Sequence, residues 1–253
     1  MEKKVRIGII MLITIMISII IQWAVQHVDY SLFIIISLIL SYYYILLKLK
    51  TWIKKAILIV EKINDKIRGV DLANTESLED LGIQFNKGYI YEGTRIRHMK
   101  PFFKENSNLF SFNEKIIDLG CGKGSALIVF KKVGFKIIAG VEISERICQI
   151  AEANLQKLKI PDVTIYHSDI IKFNHYQDFD IFYMFNPFPA EVLNTVVYEI
   201  EQSIKEKPRD VKIIYMNPKH HEAIDKSNIF NRVGEFNYDS EKSSFRKIFV
   251  YKN

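Results

Sequence analysis

Beyond residue 110, short runs rich in Ile, Val, Phe and Tyr alternate with helical patterns, and that alternation confines the chain to very few architectures. The strand candidates are residues 115–119, 136–142, 163–167, 179–185, 211–216 and 246–251. The helical candidates are 124–133, 144–158, 189–204 and 220–226. Strands alternating with helices build a parallel sheet covered on both faces. Right-handed crossovers then bring every strand's C-terminal end to one edge, where such sheets bind ligands. Function is to be sought in the residues that end the strands.

The first strand ends in Asp118-Leu119-Gly120-Cys121-Gly122-Lys123-Gly124 and opens a helix. Glycines let the backbone turn sharply and approach a ligand with no Cβ in the way. Free N–H groups at the helix start can meet a polar or anionic group. Alone, a glycine-rich strand–helix turn is a weak signal. The second strand ends in Gly140-Val141-Glu142-Ile143-Ser144. Glu142 stands eighteen residues past Gly124, where a carboxylate accepts from both hydroxyls of a ribose; Ser144 also reads as the N-cap of the next helix. The third strand ends in His167-Ser168-Asp169-Ile170. A carboxylate or its neighbouring backbone there can accept from an adenine amino group, and an Asp capping its own turn is an equal alternative. The fourth ends in Phe185-Asn186-Pro187-Phe188-Pro189, a rigid turn that offers the Asn186 side-chain carbonyl at the edge. Each feature is weak by itself; four consecutive strand ends with suitable residues form a nucleoside-binding series.

The series resembles the class I S-adenosylmethionine-dependent methyltransferases over about residues 85–253. The resemblance implies S-adenosyl-L-methionine as cofactor and a Rossmann-like α/β sheet of seven strands, ordered 3-2-1-4-5-7-6 with strand 7 antiparallel. A closing hairpin from 229–238 and 244–251 fits that order. It implies that Asp118 contacts the methionine end and that Gly120, Cys121, Gly122 and Gly124 pass beneath the cofactor. Glu142 and Ile143 then meet the ribose, and Ser168, Asp169 and Ile170 the adenine. Gly120-Cys121-Gly122-Lys123-Gly124 with Asn186-Pro187-Phe188 is similar to bacterial methyltransferases of poorly defined substrate. More loosely, it is similar to membrane-anchored protein-lysine methyltransferases. By that resemblance Tyr91 and Thr94 lie over the cofactor and contact it, as does Asn186; packing of the aromatic on the domain's first helix is the alternative. Asn186, Pro187 and Phe188 are the catalytic candidates, because an amine must arrive neutral and the Asn186 and Pro187 carbonyls can accept its hydrogens. The Asn-Pro-Phe-Pro run departs from the Asn/Asp-Pro-Pro-aromatic motif of amino-methyltransferases acting on DNA adenine or glutamine. A dinucleotide fingerprint would read G-x-G-x-x-G, whereas Gly120, Gly122 and Gly124 alternate and Ser125 follows.

The N-terminal quarter follows another pattern. Residues 7–25 and 31–47 carry no charge, and a spanning helix needs roughly 17–25 apolar residues. Lys3, Lys4 and Arg6 precede the first run, and Lys48, Lys50, Lys54 and Lys55 follow the second. Basic outer ends predict a transmembrane helical hairpin with both ends, and the catalytic domain, on the cytoplasmic side. A signal peptide fits less well, since the first run is long and lacks a small-residue cleavage site. Buried core helices fit less well because neither run has a polar face. Residues 52–67 mix apolar and charged positions at helical spacing, as in an amphipathic helix at the membrane surface or a continuation of the second span. The expected organisation is two transmembrane helices over 1–50, an amphipathic helix and linker over 51–87, and a methyltransferase domain over 88–253.

Residues 1–70 hold ten Lys/Arg and four Asp/Glu, while 71–253 hold 25 of each sign, so the whole net charge of +6 lies beside the apolar runs. Anionic lipid explains that excess. No basic stripe tracks a phosphate backbone, so the expected partners are the lipid bilayer and a methyl acceptor, not nucleic acid. Cys121 and Cys148 make no disulfide framework. Lys219-His220-His221-Glu222 lacks a third ligand at useful spacing, so no metal is expected. Lys123 is open between a surface charge and a substrate contact. The acceptor is open too, with an amine such as a protein lysine first. A lipid, quinone or other hydrophobic small molecule is the alternative. A membrane-tethered scaffold without catalysis is a third reading, against which the intact Asp118, Glu142 and Asp169 set argues.

Overall fold

Strands β1 (Ile116–Leu119), β2 (Ile138–Glu142), β3 (Val163–His167), β4 (Ile181–Phe185), β5 (Lys212–Met216), β6 (Asn231–Asn237) and β7 (Lys247–Lys252) form one sheet of order β3-β2-β1-β4-β5-β7-β6. β1 to β5 run parallel, and β7 lies antiparallel between β5 and β6. This is the expected seven-stranded class I methyltransferase order, antiparallel strand included. The structure is a computed structural model that describes residues 14–23, 30–74, 96–185, 188–238 and 246–253.

The helices are α1 (Thr14–Trp23), α2 (Tyr30–Arg68), α3 (Ile96–Glu105), α4 (Ser125–Val133), α5 (Glu145–Lys157), α6 (Ala190–Glu206) and α7 (Glu222–Asp225). Alternate strand residues feed two apolar layers, as the two-residue period of a pleated strand requires. Ile117, Leu119, Phe182, Met184, Ile213 and Tyr215 face one layer, which α6 completes with Leu193, Val196, Val197 and Ile200. Ile116, Ile181, Tyr183, Ile214 and Met216 face the other, with Met99, Phe102 and Phe103 of α3 and residues 126–130 of α4. Helix α3 has no counterpart among the sequence expectations. Pro101 sits inside it, yet Met99, Phe102 and Phe103 are buried on it and Phe103 meets Phe130 edge-on at 5.9 Å between centroids. Aromatic burial of this size outweighs the roughly 3 kcal/mol that an interior proline costs a helix.

The chain divides into two units, Met1–Ile59 and Val60–Asn253. Among the described residues of the first, apolar side chains from Ile15 to Leu49 are exposed throughout. Among the described residues one helix, Leu32–Arg68, is long and apolar enough to cross a membrane, and Thr14–Trp23 is a shorter apolar helix. Residues 52–67 continue α2. Most of the expected first span's N-terminal half, and its loop to the second, lie outside the described residues.

Candidate functional site

The ends of β1 and β2 are locked together by backbone. Gly120 and Cys121 both donate their N–H to the Val141 carbonyl at 2.9 Å. Gly120, Gly122 and Gly124 have φ of +91°, +52° and +85°, the left-handed region that a glycine occupies at no steric cost. Gly140 serves another purpose: a Cβ there would lie 2.5 Å from the Cβ of Cys121, so its absence lets β2 pass under the turn.

Glu142 ends β2 with both carboxylate oxygens on backbone. Oε2 accepts from Gly122 N at 3.1 Å, and Oε1 from Ser144 N at 3.0 Å. Ser144 does take the N-cap position of α5, with extended backbone, but its side chain makes no capping bond; the Glu142 carboxylate takes its N–H instead. The Glu142 carbonyl accepts from Ser168 N at 3.0 Å, tying the β3 end to the same group. The Ile143 carbonyl lies 3.1 Å from His167 Nε2. Asp169 accepts from Ile171 N at 3.3 Å and so caps its own short 3-10 turn, Ile170–Lys172, with Ile170 buried. The Ser168 hydroxyl donates to the Asp169 carbonyl at 3.1 Å.

Asp118 is buried, and among the described residues no donor is within hydrogen-bond reach of its carboxylate. Burial pushes its carboxyl well above the usual carboxylate range, and the nearby Glu142 charge pushes the same way. Glu142 is also raised by burial, against hydrogen bonds from backbone N–H groups that lower it. Cys121 is buried, and burial followed by the charges of Asp118 and Glu142 drives its thiol up; Cys148 is pushed up to about 12. Neither thiol is a nucleophile at neutral pH.

Of the expected catalytic residues, Phe188 is buried in the α6 layer. Asn186, Pro187, Tyr91 and Thr94 lie outside the described residues. The structure brings Asp118, Gly120, Cys121, Gly122, Gly124, Glu142 and Ile143 to adjacent strand ends, with Ser168, Asp169 and Ile170 on the next strand. At the neighbouring β5 end, Asn217 has φ of +51° and accepts from the Tyr238 hydroxyl. Among the described residues no group of three or more His, Cys, Asp or Glu is placed to hold a metal ion.

A turn bent at three glycines, a carboxylate at the next strand end and a buried carboxylate with no donor among the described residues are features that suit a cationic nucleoside. S-adenosylmethionine carries a sulfonium and an ammonium, which answer the orphaned charge of Asp118. The residues fit that cofactor. The model of a family described as "Methyltransferase domain" matches residues 111–238, just over half of the 253 residues. The chain belongs to that family, and its sheet has the strand order of the class I methyltransferase fold.

Ribosomal protein L11 methyltransferase of Thermotoga neapolitana is 36% identical over 58 residues, 23% of this chain and 22% of that one. Its counterpart in Thermotoga petrophila is 29% identical over 92 residues, 36% and 31% of the two chains. The chain thus spans between about a fifth and a third of these curated relatives. Among solved structures, a ribosomal protein L11 methylase from Lactobacillus delbrueckii subsp. bulgaricus aligns over 64% of this chain and 80% of its own, at 18% identity and TM-score 0.46. Magnesium protoporphyrin IX methyltransferase from Synechocystis PCC 6803 with bound SAM aligns over 62% and 76%, at 17% identity and TM-score 0.47.

Proposed function

We propose that this methyltransferase is anchored in a membrane by its N-terminal hairpin and methylates an amine, such as a lysine of a membrane-associated protein, on the cytoplasmic side. The proposed organisation is two spans over 1–50, an amphipathic helix and linker over 51–87, and the catalytic domain over 88–253. The observation that carries the anchoring is α2: the described apolar side chains of its first eighteen residues are exposed, and Lys48, Lys50 and Lys55 follow in the same helix. An exposed apolar surface of that length is an interaction surface, and one flanked by lysines suits an anionic bilayer. A protein acceptor is supported by the relatives named for ribosomal protein L11.

The cofactor supplies an electrophilic methyl group on sulfonium. The protein's part is orientation and electrostatics. Asp118 receives the cationic methionine end, Gly120, Cys121, Gly122 and Gly124 pass beneath, Glu142 and Ile143 meet the ribose, and Ser168, Asp169 and Ile170 meet the adenine. Tyr91, Thr94 and Asn186 complete the contacts. The Asn186 side-chain carbonyl and the Pro187 carbonyl accept hydrogens of the incoming amine and aim its lone pair, with Phe188 fixing the turn from below. Orientation of this kind is worth ~7–11 kcal/mol of the barrier.

Incubating membranes that contain the chain with methyl-tritiated S-adenosylmethionine tests the proposal. Label is expected in protein and to survive solvent extraction. Asn186→Ala should lower incorporation at least about tenfold while leaving cofactor binding intact. Label recovered in extracted lipid or quinone would replace the amine acceptor, and absence of label from both fractions would leave a tethered scaffold.

A further inference from the structure

The ammonium of Lys123 has no part in the chemistry above, yet it is fully buried, at 0% exposure. Its Nζ donates to Asp71 Oδ2 at 2.8 Å, fifty-two residues upstream. Asn154 of α5, 2% exposed, binds the backbone of both residues. Its Nδ2 donates to the carbonyls of Asp71 and Lys123 at 2.9 and 3.0 Å, and its Oδ1 accepts from Asp71 N at 2.8 Å. Asp65, in the last turn of α2, closes the segment from the other side. Its carboxylate accepts from Leu72 N and Ala73 N at 2.7 and 2.6 Å, and its carbonyl from Val70 N at 2.9 Å. Asn74 Nδ2 donates to the second carboxylate oxygen of Asp71 at 2.9 Å.

Residues 69–74 are therefore docked on the glycine turn. Lys123 stands between Gly122 and Gly124, whose backbones are otherwise the softest in the turn. It is gripped at its carbonyl by Asn154 and at its side chain by Asp71, so two distant elements fix the bend that Gly122 and Gly124 allow.

We propose that Asp71 and Asn154 are positioning residues for the cofactor: acting through Lys123, they hold the 122–124 bend in the shape that receives S-adenosylmethionine. The segment that follows the apolar helix is thereby part of the cofactor site. This rests on the turn being the cofactor turn, which binding of S-adenosylhomocysteine by the unaltered chain checks separately.

Calorimetric titration of S-adenosylhomocysteine into the full chain in detergent, with Lys123→Met, Asp71→Asn and the double variant, tests it. Lys123→Met replaces the buried charge by an apolar chain of similar length and leaves Asp71, 36% exposed, to water, so the variant retains its fold. Each single variant should weaken binding about tenfold, and the double no further, because the pair acts as one unit. Asp71→Glu should recover most of the affinity. Wild-type affinity in Lys123→Met overturns the proposal. So does a loss confined to Lys123→Met, which would mean that Lys123 touches the ligand itself, and so do additive losses. If Asp71→Asn does not fold, Lys123→Met and the double variant decide: equal affinities support the tie, a further loss overturns it.

Discussion

Asp118 is held in a place where burial and the neighbouring Glu142 disfavour its charge. A carboxyl whose folded pKa exceeds its unfolded value binds more protons folded than unfolded. Stability of the cofactor-free chain therefore falls as pH rises from the ordinary carboxylate value, about 4, toward the raised one. Glu142 is raised as well and contributes in the same direction. Asp118→Asn removes the Asp118 share. The variant should melt higher than the parent at pH 8, by the equivalent of about 1–3 kcal/mol, with the gap closing near pH 4. Its affinity for S-adenosylhomocysteine should fall at least about tenfold. Parallel melting curves against pH for the two chains would show that Asp118 is not the source. Asp118, Glu142 and Asp169 were legible in the sequence because each ends a strand whose pattern is plain. The place of Lys123 was not. A lysine among glycines reads as a surface charge or a substrate contact alike, and its burial depends on a counter-charge far along the chain that no local pattern announces.

Among the elements, β1 to β5 and β7 were legible to within about two residues: β1, β2, β4, β5 and β7 are covered on both faces, leaving near-continuous apolar runs, and the edge strand β3 shows in its short β-branched and aromatic run. The hairpin of β6 and β7 followed from the family resemblance. Helix α3 has no local signature: a proline in a short charged stretch reads as a stop, and the contact of Phe102 and Phe103 with the α4 layer stabilises the helix around it. The β2 end holds a sharper test. Gly140→Ala would set a Cβ 2.5 Å from that of Cys121 and 2.6 Å from its Sγ. Overpacking of this kind costs about 1–3 kcal/mol, and the strain lies directly under the turn. Chemical denaturation should show the loss, and calorimetry a weaker fit for S-adenosylhomocysteine. Unchanged stability would mean that β2 and the turn separate freely.

At the scale of the whole molecule the two units differ in kind. Val60–Asn253 has buried layers on both sides of a sheet, whereas the described part of Met1–Ile59 exposes its apolar residues. If α2 sits in a bilayer, Ile36→Lys with Leu40→Lys places two charges near its middle, each at about 2.5–3.5 kcal/mol. Alkaline washing should then release the variant from membranes that retain the parent. Equal retention would shift the anchoring away from α2. The docked segment 69–74 bears on how the two units can be pulled apart. Cutting after Asn74 keeps every glycine of the turn. Such a fragment would take the Asp71 carboxylate away from the buried Lys123 ammonium and the Asp71 backbone away from Asn154, a loss to be set against a typical total stability of about 5–15 kcal/mol. Its silence in an assay would report a missing aspartate rather than a missing activity, and a fragment meant to be informative has to start no later than Val60.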